Sequence, residues 1–204
     1  MPTVVLFNKP YNVHSQFRKD HDQMMTLADY FDDKSLRVAG RLDKDSEGLL
    51  VLTDNGALNH FITTPPTHGK AKSWGKTYLV QVEHTPTDDQ LHALRTGVTL
   101  KDGKTLPARI LHLDDDNLPI DVWDRHPPIR ERKNIPTAWL MITIFEGKNR
   151  QIRRMTAHVG LPCLRLIRLQ VGSDKLGWHV GDLAVGQSRR IHISHDELTR
   201  ILRG

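Results

Sequence analysis

The sequence predicts a strand-rich α+β fold, and two kinds of pattern point there. Bulky and β-branched runs recur at Thr3 to Phe7, Leu49 to Leu52, Lys76 to Glu83, Trp139 to Phe145 and Leu164 to Val171, each of strand length. Between them lie short stretches with helix caps and apolar residues on one face. A composition of 38% hydrophobic and 26% charged residues over 204 positions supports a folded core. These patterns give element types, not topology.

In chain order, Pro10 stops the first strand, and His14 to Met24 reads as a polar loop whose Arg18, Lys19, His21 and Asp22 suit a phosphate track or open water. Thr26 caps a short helix to Phe31, with Leu27, Tyr30 and Phe31 on one face as core. After Asn55-Gly56, read as a tight turn, Ala57 to Ile62 is another short helix. Thr67 to Gly75 is basic and rich in breakers, and predicts a hinge between two halves near residues 63–75. In Lys76 to Glu83 the adjacent Leu79 and Val80 break strict alternation, as in a strand buried on both faces.

Thr87-Asp-Asp-Gln90 is a capping box opening a helix with Leu91 and Leu94 on its inner face and Gly97 as its stop. Val98 to Leu113 reads as short strands around Lys101-Asp-Gly-Lys104, Asp114 to Asp116 as an exposed turn, and Trp123 to Pro136 as a long basic loop of functional character. Ser194-His-Asp-Glu197 is a second capping box, aiming Leu198, Ile201 and Leu202 at the core.

Twenty-nine Lys and Arg against 24 Asp and Glu, with a pI near 9.4, favour a polyanionic partner. The one cysteine, Cys163, excludes an internal disulfide, suits a reducing compartment and reads as a buried, inert thiol. The N-terminus has no signal-peptide pattern and no run approaches transmembrane length, so a cytoplasmic protein is expected. Histidines are scattered and form no metal-ligand pattern.

Two stretches stand out. Val38 to Gly56 packs Arg41, Asp43, Asp45 and Glu47 between Gly40 and Gly48, then enters the apolar run Leu49 to Leu52. A polar turn between strands explains such a segment in structural terms. A calcium loop is a second reading, since Asp43, Asp45, Glu47 and Asp54 fall on EF-hand positions, but the flanks read as extended rather than helical. A carboxylate presented on a loop by a rigid strand is the third. The other stretch runs from Gly147 to Ser173, with Lys148, Arg150, Arg153, Arg154, Arg165 and Arg168 and no acid. There Ile152, Met155 and Val159 share one helical face, which turns the cations elsewhere, and the helix N-terminal end itself favours anions.

Gly40-Arg-Leu-Asp-x-x-Ser-x-Gly-Leu-Leu-x-Leu-Thr-x-x-Gly56 resembles the active-site motif of the RsuA/RluB/RluE/RluF family of RNA pseudouridine synthases. Asn8-Lys-Pro10, Lys76-Thr-Tyr78, Glu146-Gly-x-x-x-Gln-Ile-Arg-Arg-Met155 and Leu166-x-Arg-Leu169 through Gly186 resemble its other motifs in the same order. The fold this implies is α+β, a mixed and mostly antiparallel central sheet in two halves, with flanking helices and an active-site cleft between the halves. The activity implied is isomerisation of uridine to pseudouridine, with Asp43, Tyr78 and Arg153 catalytic and Arg153 as the counter-charge of Asp43.

Arg41 matches the residue that fills the space a flipped base vacates, and Lys9, Lys148, Arg150, Arg154 and Arg165 are the further RNA-binding candidates. No metal or organic cofactor is implied. The third motif's wording and the direct start on the first catalytic strand resemble most the subgroup acting on large-subunit (23S) ribosomal RNA. Residues 1–204 are then one catalytic domain without an N-terminal accessory RNA-binding domain, expected to act as a monomer. An RNA-binding or ribosome-assembly protein without catalysis is the alternative from another class, but it leaves Asp43 and Tyr78 in their matching contexts unexplained.

Overall fold

A computed structural model of the protein describes residues 1–64, 74–130, 134–173 and 175–203. Most of the hinge expected at 63–75 and part of the basic loop at 123–136 lie outside these residues. In chain order the strands are β1 Thr3–Lys9, β2 Arg37–Val38, β3 Glu47–Thr53, β4 Gly75–Glu83, β5 Thr99–Leu100, β6 Gly103–Lys104, β7 Arg109–Leu113, β8 Thr137–Ile144, β9 Cys163–Gly172, β10 Gly177–His179 and β11 Ser188–His192. The helices are α1 Gly56–Thr63, α2 Asp88–Thr96, α3 Gln151–His158 and α4 His195–Arg203.

The main sheet runs β11-β1-β3-β9-β4-β8-β7, with β2 added to β3 and β10 to β9. Every neighbouring pair is antiparallel except β3 and β9, which run parallel and meet only at Glu47 against Ile167 and Gly48 against Arg168. That short seam joins two antiparallel halves. At the seam Gly48 has φ +93°, and a Cβ there would lie 2.4 Å from the Arg168 carbonyl oxygen, so only glycine lets the strands approach.

The central strands are covered on both faces, which is why their sequences do not alternate. In β1 and β3, Val5, Phe7, Leu50 and Leu52 enter the core under α2 and α3, while Val4, Leu6, Leu49 and Val51 enter the core under α1 and α4. Burying one such side chain is worth about 1.5–3 kcal/mol, so these two layers hold the halves in register.

Several elements differ from the sequence reading. Asn55 is the N-cap of α1, its Oδ1 accepting the Leu58 N–H at 2.9 Å, rather than half of a tight turn. Asn serves both purposes, and the apolar spacing of Leu58 and Ile62 decides for the helix. The helix expected after Thr26 is a single 3-10 turn, Leu27–Asp29, closed by the predicted cap. Tyr30 and Phe31 lie against Phe7, with ring centroids 4.8 and 5.1 Å away, as core rather than binding surface. On α4, Leu198 and Ile201 are buried but Leu202 faces solvent, because a one-residue step turns a side chain by about 100°.

Candidate active site

The turn between β2 and β3 carries the acidic motif and opens into a cleft of about 380 Å³ at the seam. Its walls include Gly40 to Asp43 and Ser46 of the turn, Lys76 and Tyr78 of β4, and Gly147 to Ile152 at the start of α3, with Thr63, Ile144 and Leu166 between them. Arg168 closes the floor. Its guanidinium is completely buried, and it donates from Nε to the Leu49 carbonyl at 2.7 Å and from Nη2 to the Gly40 carbonyl at 2.9 Å. One side chain thus ties both ends of the turn that presents Asp43 to β9.

Asp43 is half-exposed at the cleft wall, and among the described residues its ion-pair partner is Arg150, with Nη1 3.6 Å from Oδ2. The same guanidinium makes two hydrogen bonds to the Asp45 carboxylate, at 2.9 and 2.7 Å. Burial pushes the Asp45 carboxyl up, but the Arg150 hydrogen bonds and the Arg153 charge outweigh it and hold the group below the usual carboxylate range. Arg150 can reach both because its backbone is left-handed, φ +47°, at the N-cap of α3, which throws its side chain across the turn.

Arg153 does not pair with Asp43 as expected. Its Nη2 donates to the Asp45 carbonyl at 2.7 Å and its Nε lies 3.5 Å from the Asp45 carboxylate. The reason is helical phase. Arg150, at the helix start, reaches the lip of the cleft, whereas Arg153 lies one turn further on and meets the turn beyond Asp43.

The remaining basic candidates divide sharply. Arg41, Lys148 and Arg150 line the cleft with Asp43 and Tyr78. Arg41 is exposed, and the Lys148 ammonium rests on the carbonyls of Asp102, Gly103 and Lys104. Arg154 turns away to a two-bond ion pair with Asp102, 2.7 and 3.0 Å.

Lys9 and Arg165, expected to contact RNA, are inside the protein. β1 continues through Lys9, which pairs with Gly48 of β3, and the side chain is fully buried, its Nζ donating to the Pro10 and Val13 carbonyls at 2.8 Å each. Arg165 makes a two-bond pair with buried Glu47, both contacts 2.9 Å, and Trp123 Nε1 donates to the same carboxylate at 2.9 Å. A carboxylate on β3 next to a guanidinium on β9 is cross-seam structure, not RNA surface.

Sequence reasoning missed Lys76 and Arg168 as parts of the site. The signal for Arg168 was present as a charge inside an apolar strand, which demands buried partners. Cys163 is half-buried, and its surroundings push the thiol up to about 11, chiefly by burial. The flanks of the acidic turn are strands, so the helices of a calcium loop are not there, and among the described residues no group of His, Cys, Asp and Glu could hold a metal ion. No helix among them is long and apolar enough to cross a membrane.

An aspartate on the turn before β3, an aromatic from β4 and arginines from a helix start converge here, and comparison with known proteins gives this arrangement a lineage. A model described as RNA pseudouridylate synthase matches residues 3–158. The chain belongs to that family. It is 52% identical over 190 residues to "Ribosomal large subunit pseudouridine synthase E" of Vibrio parahaemolyticus, covering 93% of this chain and 74% of the relative. A protein of the same name from Xanthomonas axonopodis pv. citri is 51% identical over 174 residues, 85% of this chain and 87% of the relative. Among solved structures, one titled "Crystal structure of pseudouridylate synthase" superposes with a TM-score of 0.73 at 26% identity, covering 99% of this chain and 74% of that one. The expected family and its fold, a mixed and mostly antiparallel sheet with flanking helices, are thereby established for this pseudouridine synthase.

Proposed function

We propose that this pseudouridine synthase isomerises a uridine of large-subunit ribosomal RNA, with Asp43 as the essential carboxylate. The observation that carries the proposal is the cleft itself, in which Asp43 and Tyr78 face one space at the junction of the two halves. The half-identical relatives named for the large ribosomal subunit support that substrate.

A uracil inside a helix is out of reach, so the base swings into the cleft, at a cost of a few kcal/mol in lost stacking. Tyr78 supplies an aromatic surface for the flipped uracil, and stacking of this kind is worth about 1–3 kcal/mol. Arg41, exposed two residues before Asp43, fills the space the base leaves.

Asp43 acts ionised, either as nucleophile at ribose C1′ or as the base that takes a proton from C2′. On both routes the N1–C1′ bond breaks, the uracil turns, C5 bonds to C1′, and the C5 proton leaves. Arg150 lies within ion-pair range of the carboxylate, and Arg153 fixes the backbone of the turn from below. Neither route takes a metal or an organic cofactor.

The test is tritium release from large-subunit ribosomal RNA labelled at uracil C5. Wild type releases tritium, and Asp43→Asn binds the RNA but releases none. Tight binding without release by the wild-type protein would replace the enzyme reading with a binding protein, and normal release by Asp43→Asn would remove Asp43 from its role.

A further inference from the structure

Asp43 is shared by two hollows. Besides the Tyr78 cleft it lines a second space of about 220 Å³, whose other walls include His14, Ser15, Gln16, Arg41, Lys44 and Arg150. Among the described residues Leu42 is the one apolar side chain in that lining, and no aromatic carbocycle contributes. The space is therefore unsuited to a base and suited to a charged, hydrogen-bonding group.

The outer wall is a loop, residues 11–16, that is fastened on every side. The Lys9 Nζ donates to the Val13 carbonyl from beneath at 2.8 Å, and the Asn12 N–H donates to the Lys44 carbonyl at 2.7 Å. The Ser15 hydroxyl donates to the Leu42 carbonyl at 2.7 Å and accepts the Leu42 N–H at 3.2 Å. On the far side the His14 N–H reaches the Met25 carbonyl and the Leu27 N–H the Gln16 carbonyl, both at 2.9 Å. A loop fastened in this way holds a fixed hollow, and the two residues of the acidic turn that bond to it, Leu42 and Lys44, flank Asp43.

The wall is electropositive. His14 is held below its ordinary proton affinity by burial first, and then by the charges of Lys44, Lys9 and His21. It therefore stands as a neutral imidazole with one N–H to donate, beside the exposed ammonium of Lys44. A strand whose ribose sits at Asp43 must carry an adjoining phosphate past a flank of the carboxylate that the base does not occupy. This hollow is such a flank.

We infer that the hollow seats the RNA phosphodiester next to the uridine that isomerises, held by Lys44 and by the N–H of His14. The inference rests on the pseudouridine synthase reading above. Phosphate contacts position a nucleic acid without reading its sequence, so this seat sets where the ribose lies relative to Asp43.

The experiment compares wild type, Lys44→Gln and His14→Ala on a ribosomal RNA fragment carrying the mapped uridine, with its neighbouring linkage either natural or a neutral methylphosphonate. Lys44 is exposed, so its variant folds. Lys44→Gln raises KM roughly tenfold with kcat largely kept, and lowers the slope of log affinity against log salt by about 1. His14→Ala weakens binding without changing that slope. On the neutral linkage the wild type falls to the level of Lys44→Gln, which loses nothing further. An unchanged salt slope in Lys44→Gln, a loss confined to kcat, or equal losses for wild type and variant on the neutral linkage overturns the seat. A wild type that forms no pseudouridine overturns the functional reading and this inference together, whereas an active wild type with an indifferent Lys44→Gln removes the inference alone.

Discussion

Arg150 grips Asp45 through two hydrogen bonds of 2.9 and 2.7 Å, and the same guanidinium stands 3.6 Å from Asp43. The acidic turn and the start of α3 are locked together by this pair, although 105 residues separate them in sequence. Replacing Arg150 with Ala frees the turn and removes the charge facing Asp43. A displacement of about 1 Å in a reacting group costs on the order of 10²-fold in rate, so kcat falls by roughly that factor with a smaller change in KM. Arg150→Lys does not restore it, because an ammonium cannot make the two parallel bonds. Single-turnover rates with saturating enzyme decide the matter, and a Lys variant at wild-type rate refutes the geometric role.

Glu47 and Arg165 test the seam. Their pair is buried, and removing one partner strands the other charge with Trp123 as its remaining neighbour. Glu47→Ala lowers stability by about 3–5 kcal/mol, the usual cost of breaking a buried pair. Urea unfolding followed by fluorescence shows this as a lower midpoint with an unchanged slope. A midpoint within error of wild type contradicts the assignment of Arg165 to structure and returns it to the RNA-binding surface.

Gly48→Ala is the sharper test of the same seam. The new methyl meets the Arg168 carbonyl at 2.4 Å in a backbone region that L side chains rarely adopt. Strain and clash together cost at least about 3 kcal/mol. Because Gly48 directly precedes Leu49, whose carbonyl anchors Arg168, turnover falls in the protein that still folds. Full activity and an unchanged melting temperature in Gly48→Ala rule out the close approach of β3 and β9.

The sequence carried the strands, the capped α2 and the acidic turn plainly, because local patterns encode each of them. Thr87 and Gln90 announce the start of α2 in four residues, and the cap forms as read. What local pattern could not carry is the partner across the sheet. The stretch from Gly147 to Ser173 has no acid of its own and reads as a polyanion surface, yet Arg150 and Arg153 find Asp45, Arg154 finds Asp102 and Arg165 finds Glu47. Those acids lie 52 to 118 positions away, so spacing along the chain says nothing about the pairing. Lys9 was misread for a related reason. The cue that ends β1, Pro10, does not say how deep the preceding residue sits.

Lys9 gives the last prediction. Burial lowers its pKa from 10.5 to about 7, against the opposing charge of Glu47. In the unfolded chain the amine keeps its proton up to about pH 10.4, while in the folded protein it loses the proton above about 7. Across that interval the unfolded state binds more protons, so stability rises with pH, by at most about 1.4 kcal/mol per unit from this one group. The neutral amine still has two N–H groups, one for each of the Pro10 and Val13 carbonyls, so deprotonation leaves both acceptors satisfied. Cys163, raised to about 11, works in the other direction above about pH 9, which confines the rise to roughly pH 7–9. Urea unfolding at pH 7, 8 and 9 shows the increase in wild type, and Lys9→Met, which cannot titrate, is less stable throughout and flat over the same range. A wild-type stability that falls from pH 7 to 9, or a Lys9→Met that keeps the rise, shows that Lys9 enters the folded state charged.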